Sequence, residues 1–412
     1  MTYARLADWL RPRLWMGLVI GVTPWLAWLG SLAVGGWYKD SFHQLFTADH
    51  LAFYHAARLV REGDEQRLYD YGTLNATNYQ RLLIGWPWDG FEAFRNPPFY
   101  ALLYWPTAGL SYYLSAAIWL AIGLALLVLA IVMLRPEQPW RALLWSFTFY
   151  PVCAVAGFGQ NTFQSLAIFV GVYRLLQAEW KFAAGLVAGL LFFKPQLLLG
   201  LFVWWGLEPR RYARCWLGAA VMGAALAALS AAVLPTGTRA FLDSLPAIAA
   251  FQGDPFWNKQ SPRAFWALLL ARTGDENQAN DQALLVIALA GACSLAGLAG
   301  AWWVKQRTGA PVAAMFPIAI FLSLWASPHT LIYEWALLVA AAVVLWEEFP
   351  AQRAAWLVLF TLTWLALGSS TPLAALQLRA DFPVVVQVAV PVMGIVGWLT
   401  ARELVRAAAT RG

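Results

Sequence analysis

Charge is scarce in this 412-residue chain. Asp, Glu, Lys and Arg together make up 12% of it, against about 25% in soluble globular proteins. So few charges exclude a water-facing surface on every side, and no polar tract is long enough to form a separate soluble domain. Cysteine is scarcer still. Cys153, Cys215 and Cys293 each lie inside an apolar run without metal-ligand spacing, which excludes a disulfide framework and leaves them as small buried hydrophobes. His50 and His55 lack a third partner at metal spacing. No Asp-x-Asp pair occurs in the chain, which argues against a metal ion holding a diphosphate.

What the chain does have is apolar length. Hydrophobic residues make up 61%, in runs of helix-spanning length from end to end, the pattern of a polytopic all-α membrane protein. Many of the 25 Trp lie near the ends of those runs, as an interfacial aromatic belt requires. The net charge of +6 is spread over short loops, which fits positive-inside topology and not a nucleic-acid surface. The N-terminus, "MTYARLADWLRPRLW", leads into an apolar run without a small-residue cleavage site and reads as a retained signal anchor. Arg5, Arg11 and Arg13 precede the Leu14 to Gly36 run and place the N-terminus inside. Arg135 with Arg141, Lys181, Arg210 with Arg211 and Arg214, Lys305 with Arg307, Arg353, and Arg402 with Arg406 and Arg411 mark further inside ends. The count gives about 12 crossings in one integrated unit over 1–412, with both termini cytoplasmic.

Three intervals between inside markers must go out and return over short distances. Ala142 to Gln177 turns at "GFGQN", Phe182 to Leu207 at "KPQ", and Pro311 to Trp346 at "SPHT". Each arm of the second hairpin has about 12 residues, roughly 18 Å of helix, too short for a hydrocarbon core of about 30 Å. Such turns are expected at membrane depth, where only protein or a water-filled cavity tolerates them. Two longer outer loops, about 37–98 and about 235–282, share that side, and Tyr100 to Leu110, with Pro106 inside it, reads as a re-entrant or surface segment. The polar residues therefore collect outside: Asp49, Arg95, Asn96, Gln160, Asn161, Lys194, Asn258, Lys259, Gln260, Arg263 and His329.

The stretch "TADHLAFYHAARLVREG" (Thr47 to Gly63) has Phe53, Ala56, Ala57 and Val60 at helical spacing, an amphipathic interfacial helix with Thr47 as cap and Gly63 as stop. Asp49 then lies in the first turn. It serves either the helix dipole or a function, because an acid on a face turned to lipid or protein is costly unless paired or used. Lys194 reads either as a phosphate ligand or as a snorkelling lysine. Arg58, Arg61, Glu62 and Asp64 read as a solvated face.

The stretch "TADHLAFYHAARLVREGDEQRLYD" resembles the signature of glycosyltransferase family 87, the polyprenol-phosphate-mannose-dependent mannosyltransferases and related arabinosyltransferases of the GT-C class. "FRNPPFYALLYWP", "GFGQNTFQSLAIF", "AAGLVAGLLFFKPQLLL", "NKQSPRAF" and "SPHTLIYEWALL" resemble its later motifs in the same order. Where the family often has an Asp or His pair after Ser-Pro-His, this chain has Tyr333 and Glu334. The resemblance implies a GT-C-type bundle and transfer of a hexose, mannose being the family's commonest assignment. The donor would be a polyprenyl-phosphate sugar, since no nucleotide-sugar pool exists outside the cytoplasm, and the acceptor a glycolipid or glycan. It assigns Asp49 as general base. With one base and direct displacement the reaction would invert, the missing Asp-x-Asp pair and the cations fit a metal-independent reaction with no cofactor, and the loop charges put it at the outer face of a bacterial plasma membrane. Lys194, Lys259, Arg263 and His329 are then candidate ligands of the donor phosphate. Tyr54, His55, Arg95, Asn96, Gln160, Asn161, Asn258, Gln260, Tyr333 and Glu334 are candidate substrate contacts. Membrane lipids are expected partners and nucleic acid is not. The competing reading is a transporter or flippase of lipid-linked sugars.

Overall fold

A computed structural model of the chain describes residues 2–40, 44–85, 90–250, 257–270, 283–380, 382 and 384–410. Parts of both expected outer loops, including 86–89, 251–256 and 271–282, lie outside the described residues. Within them the chain is helical, and its β pairing is limited to two isolated bridges, Lys39 with Leu45 and Lys259 with Leu331. Among the described residues, five helices are long and apolar enough to cross a membrane: Tyr3–Val34, Tyr112–Leu134, Ala213–Val233, Ala283–Thr308 and Pro350–Arg379. Leu26, Leu295 and Trp398 stand 64%, 66% and 56% exposed on the bundle's outside, a surface that suits hydrocarbon and not water. The chain is a membrane protein.

The expected 12 crossings are not matched by that number of spanning helices. A sixth span is reached if Pro139–Thr148 and Tyr150–Phe158, bent by 71° at Phe149, are taken as one. The remaining crossings rested on the short hairpins, and these form short helices: Lys181–Phe193, Pro195–Leu207 and Val312–Trp325. At 1.5 Å per residue the first two are roughly 20 Å long each, below the thickness of a hydrocarbon core. Loop charges say on which side a turn lies, not how deep it reaches.

These short pieces are held by close packing. A Cβ on Gly185 would sit 2.1 Å from Cys215 O, and one on Gly200 would sit 1.8 Å from Ala319 O. Backbones that touch in this way need small residues at the crossing. A single cluster of buried apolar side chains runs through the bundle from Phe53 to Ala407.

The helix of the first outer segment departs from expectation. It spans His50–Glu62, and every residue from His50 to Ala57 is buried. It does not present an open apolar face, because the Phe99–Tyr104 helix packs against it, with Phe53 stacked on Tyr104 at 5.0 Å. That second helix and the 3₁₀ turn Trp105–Thr107 are too short to cross the membrane. Thr47 does not cap the long helix. Its hydroxyl donates to Phe46 O, and Asp49 itself occupies the cap position. Gly63 stops the helix with φ +79°, as its place in the sequence predicts.

Candidate active site

Three chain breaks bring polar side chains to one place. The Tyr150–Phe158 helix ends at Gly159, whose φ of +71° is left-handed. A Cβ there would lie 2.5 Å from Thr47 Cβ, so only glycine lets this turn meet the start of the His50–Glu62 helix. The two turns join through Asp49 N, which donates to Phe158 O at 3.0 Å. Gln160 then reaches across, and its Nε2 donates to Asp49 Oδ2 at 2.6 Å.

The second break is at Lys194. Pro195 denies helical backbone to the residue before it, and Lys194 takes φ −134°, ψ 72° between two 3₁₀ turns. Its ammonium donates to Gln160 Oε1 at 3.3 Å and pairs with Glu334 Oε1 at 3.3 Å. It also lies 5.3 Å from the ring centre of Tyr333. The third break supplies those last two residues from the 3₁₀ turn Ile332–Leu337, where Glu334 Oε2 accepts from Leu331 N at 3.3 Å. An acid, an amide, an ammonium and a second acid thus form one continuous chain of contacts. Asp49 at one end is half-buried, while the Lys194 and Glu334 side chains are 11% and 4% exposed.

Other candidates brace this chain. Asn96 Nδ2 donates to Phe193 O at 2.8 Å, and Phe193 stacks on Tyr100 at 4.4 Å, which fixes the residue before Lys194. Lys259 bridges to Leu331, and Gln260 N donates to Thr330 O at 2.7 Å. Lys259 is 1% exposed and Gln260 0%, so both are packed inside and do not line an outward mouth. Gln260 is occupied on every side: Ser370 donates to its Oε1 at 2.8 Å and Trp335 to its carbonyl at 3.1 Å. His329, Asn258 and Arg263 are half-buried beside the same two segments. Arg95 is half-buried next to Asn96.

Two candidates belong elsewhere. Tyr54 spends its hydroxyl on Leu110 O at 2.6 Å. His55 Nδ1 meets Gln80 Nε2 at 2.9 Å, and Gln80 also bonds both backbone groups of Glu92. These contacts hold the outer segments onto the helix. Residues that sequence reasoning missed stand behind Gln160. Tyr100 donates to Gln164 Oε1 at 2.6 Å, and Gln164 donates to Tyr104 at 3.3 Å. A cavity of about 20 Å³ adjoins them, lined by His50, Tyr104, Gln160, Asn161 and Gln164, room for a single water. The Asn161 side-chain amide is 2% exposed, with no hydrogen-bond partner among the described residues. A polar residue in the first turn of an otherwise apolar helix was the one signal for Gln164.

The buried histidines give the outer segment a pH dependence. Burial pushes His50 down to about 3, and burial with the Arg67 charge pushes His55 down to about 4. An unfolded histidine takes up its proton near pH 6.5. Stability is therefore complete above about 6.5 and is lost as pH falls toward 4 for His55 and toward 3 for His50, by at most about 1.4 kcal/mol per pH unit each. Proteolysis of the outer segment is expected to accelerate over this window, and His55→Gln should flatten the slope between pH 6.5 and 4. An unchanged slope in that variant would assign the effect to other groups.

No curated protein and no solved structure matches the chain. The model of glycosyltransferase family 87 matches residues 94–328. That stretch contains Asn96, Gln160, Asn161, Lys194, Lys259 and Arg263; Asp49 precedes it, and His329, Tyr333 and Glu334 follow it. With more than half of its 412 residues matched, the chain belongs to glycosyltransferase family 87 and is a membrane glycosyltransferase.

Proposed function

We propose that the chain moves a hexose, with mannose the expected sugar, from a polyprenyl-phosphate donor to a glycolipid or glycan acceptor at the outer face of a bacterial plasma membrane. The observation that carries this reading is the Asp49–Gln160–Lys194 relay. One amide bridges a carboxylate and an ammonium, so a proton acceptor and a phosphate-binding cation are held at a fixed separation.

The acceptor hydroxyl attacks the anomeric carbon while the bond from that carbon to the phosphate oxygen breaks. Asp49 takes the hydroxyl proton, a role worth roughly 10²- to 10⁴-fold in rate. The bond's electron pair leaves with the polyprenyl phosphate, and direct displacement inverts the anomeric centre. Lys194 compensates the charge that develops on the leaving phosphate. An ammonium has three N–H groups, of which Gln160 and Glu334 use two. Glu334 thus aims the cation before the donor arrives, and the third N–H serves the phosphate. The metal's usual work on the leaving group falls to cationic side chains in this scheme. The whole chain acts as one unit, with both termini cytoplasmic.

The reading is tested in proteoliposomes containing polyprenyl-phosphate mannose labelled in the sugar and a glycolipid acceptor. A new glycosidic bond, formed without net movement of the donor between leaflets, is the expected result. Donor movement with no new bond would install the flippase in its place.

A further inference from the structure

A groove of about 710 Å³ runs into the opposite end of the bundle from the Asp49 relay, within the roughly 300–1,000 Å³ of sites that enclose a small molecule. Its walls come from the helices Tyr3–Val34, Pro139–Thr148, Val312–Trp325, Leu338–Glu348, Pro350–Arg379 and Ala389–Ala409. Trp25 Nε1 donates to Phe147 O and Trp364 Nε1 to Thr148 O, both at 2.7 Å. At its mouth Met16 and Ile20 are 43% and 51% exposed on a helix that spans the membrane, so the opening faces lipid.

The rim is charged, and its charges do not cancel. Arg353 is committed to Glu137 at 3.3 Å and Glu347 at 3.6 Å. Arg13 and Arg141 are exposed, lie 4.1 Å over Trp9 and 5.0 Å over Trp140, and form no ion pair among the described residues. Three guanidinium groups against two carboxylates leave the rim with an excess positive charge, and Arg13 and Arg141, beside indole rings above an apolar slot that opens to lipid, complement one occupant. We infer that the groove seats an anionic phospholipid, with its phosphodiester between Arg13 and Arg141 and an acyl chain in the slot.

Guanidinium groups bind phosphate oxygens in paired, charge-assisted hydrogen bonds, and the acyl chain leaves one apolar surrounding for another at little cost. This site is not the donor site. Trp28, which stacks on Phe46 at 6.2 Å beside the relay, follows Arg13 by 15 residues, roughly 22 Å along one helix. The seated lipid would brace the Pro139–Thr148 helix, whose continuation carries Gly159 and Gln160.

The test uses the full chain in phosphatidylcholine nanodiscs with a trace of phosphatidylglycerol or phosphatidylcholine bearing a photoreactive acyl chain. Labelling is expected on peptides from 139–148 and 353–379, with phosphatidylglycerol favoured about tenfold, because both lipids offer the same phosphodiester but the choline cation of phosphatidylcholine opposes the guanidinium charges. The R13Q/R141Q double variant should abolish the preference. Ala342→Trp, which leaves both arginines in place and fills the slot, should remove the labelling itself. If one variant fails to fold, the other decides. Equal labelling by the two lipids, labels outside the groove, or stronger labelling of the same peptides by a photoreactive polyprenyl phosphate would each overturn the assignment.

Discussion

Asp49→Asn is expected to lower sugar transfer by about 10²- to 10⁴-fold while the bundle stays folded. The substitution preserves shape. The backbone bond from residue 49 to Phe158 O does not involve the side chain, and an Asn oxygen still accepts from Gln160 Nε2. What disappears is the capacity to take a proton from the acceptor hydroxyl. In the proposed scheme the donor is held by the cation at the far side of Gln160, so the donor KM should change little and the loss should fall on kcat. Initial rates at saturating donor, with thermal unfolding of the same preparation, make the measurement. A variant that transfers at near wild-type rate would take Asp49 out of the chemistry, whatever its place in the relay. Asp49→Glu separates position from charge: it keeps the carboxylate and moves it by one methylene, so a large loss there too would show that placement matters as much as basicity.

The parts of this site that were legible in the sequence are those marked by chain breakers. Gly159, Pro195 and the Ser-Pro-His turn interrupt apolar runs too short to span a bilayer, and each break carries a polar residue that can be buried only in company. That logic pointed to Gln160 and Lys194 meeting, as they do at 3.3 Å. The pairing of Lys194 with Glu334 was not legible. The two are 140 positions apart, and no local periodicity connects them; Glu334 read as a candidate substrate contact and a departure from the family's pattern, not as the partner of Lys194. The surroundings of His55 were not legible either. It lies on the same helix as Asp49, and helical spacing says nothing about which later segment will cover it. That segment is the helix carrying Gln80. The count of 12 crossings is not confirmed for a related reason: charge in the loops reports sidedness, and five or six of the described helices are long and apolar enough to span.

Lys194→Met separates the two jobs of the buried cation. With the ammonium gone, the 4% exposed Glu334 loses its ion pair to Lys194, and breaking a buried pair from one side typically costs about 3–5 kcal/mol. The single variant should therefore lose both stability and transfer, an outcome that a purely structural lysine would also produce. The double variant Lys194→Met with Glu334→Gln resolves this. Removing both charges cancels most of the burial penalty, and Gln keeps an acceptor for Leu331 N, so the unfolding temperature should return most of the way to the wild-type value. Transfer should not return. The leaving phosphate still lacks its cation, and a rate at least about 10²-fold below wild type is expected, the size of effect seen when one electrostatic stabiliser of a transition state is removed. The sign of the result decides the role. A double variant that is stable and inactive makes Lys194 part of the chemistry, with Glu334 as its holder. One that is stable and active makes the pair a structural clamp and leaves the phosphate to His329 or Arg263.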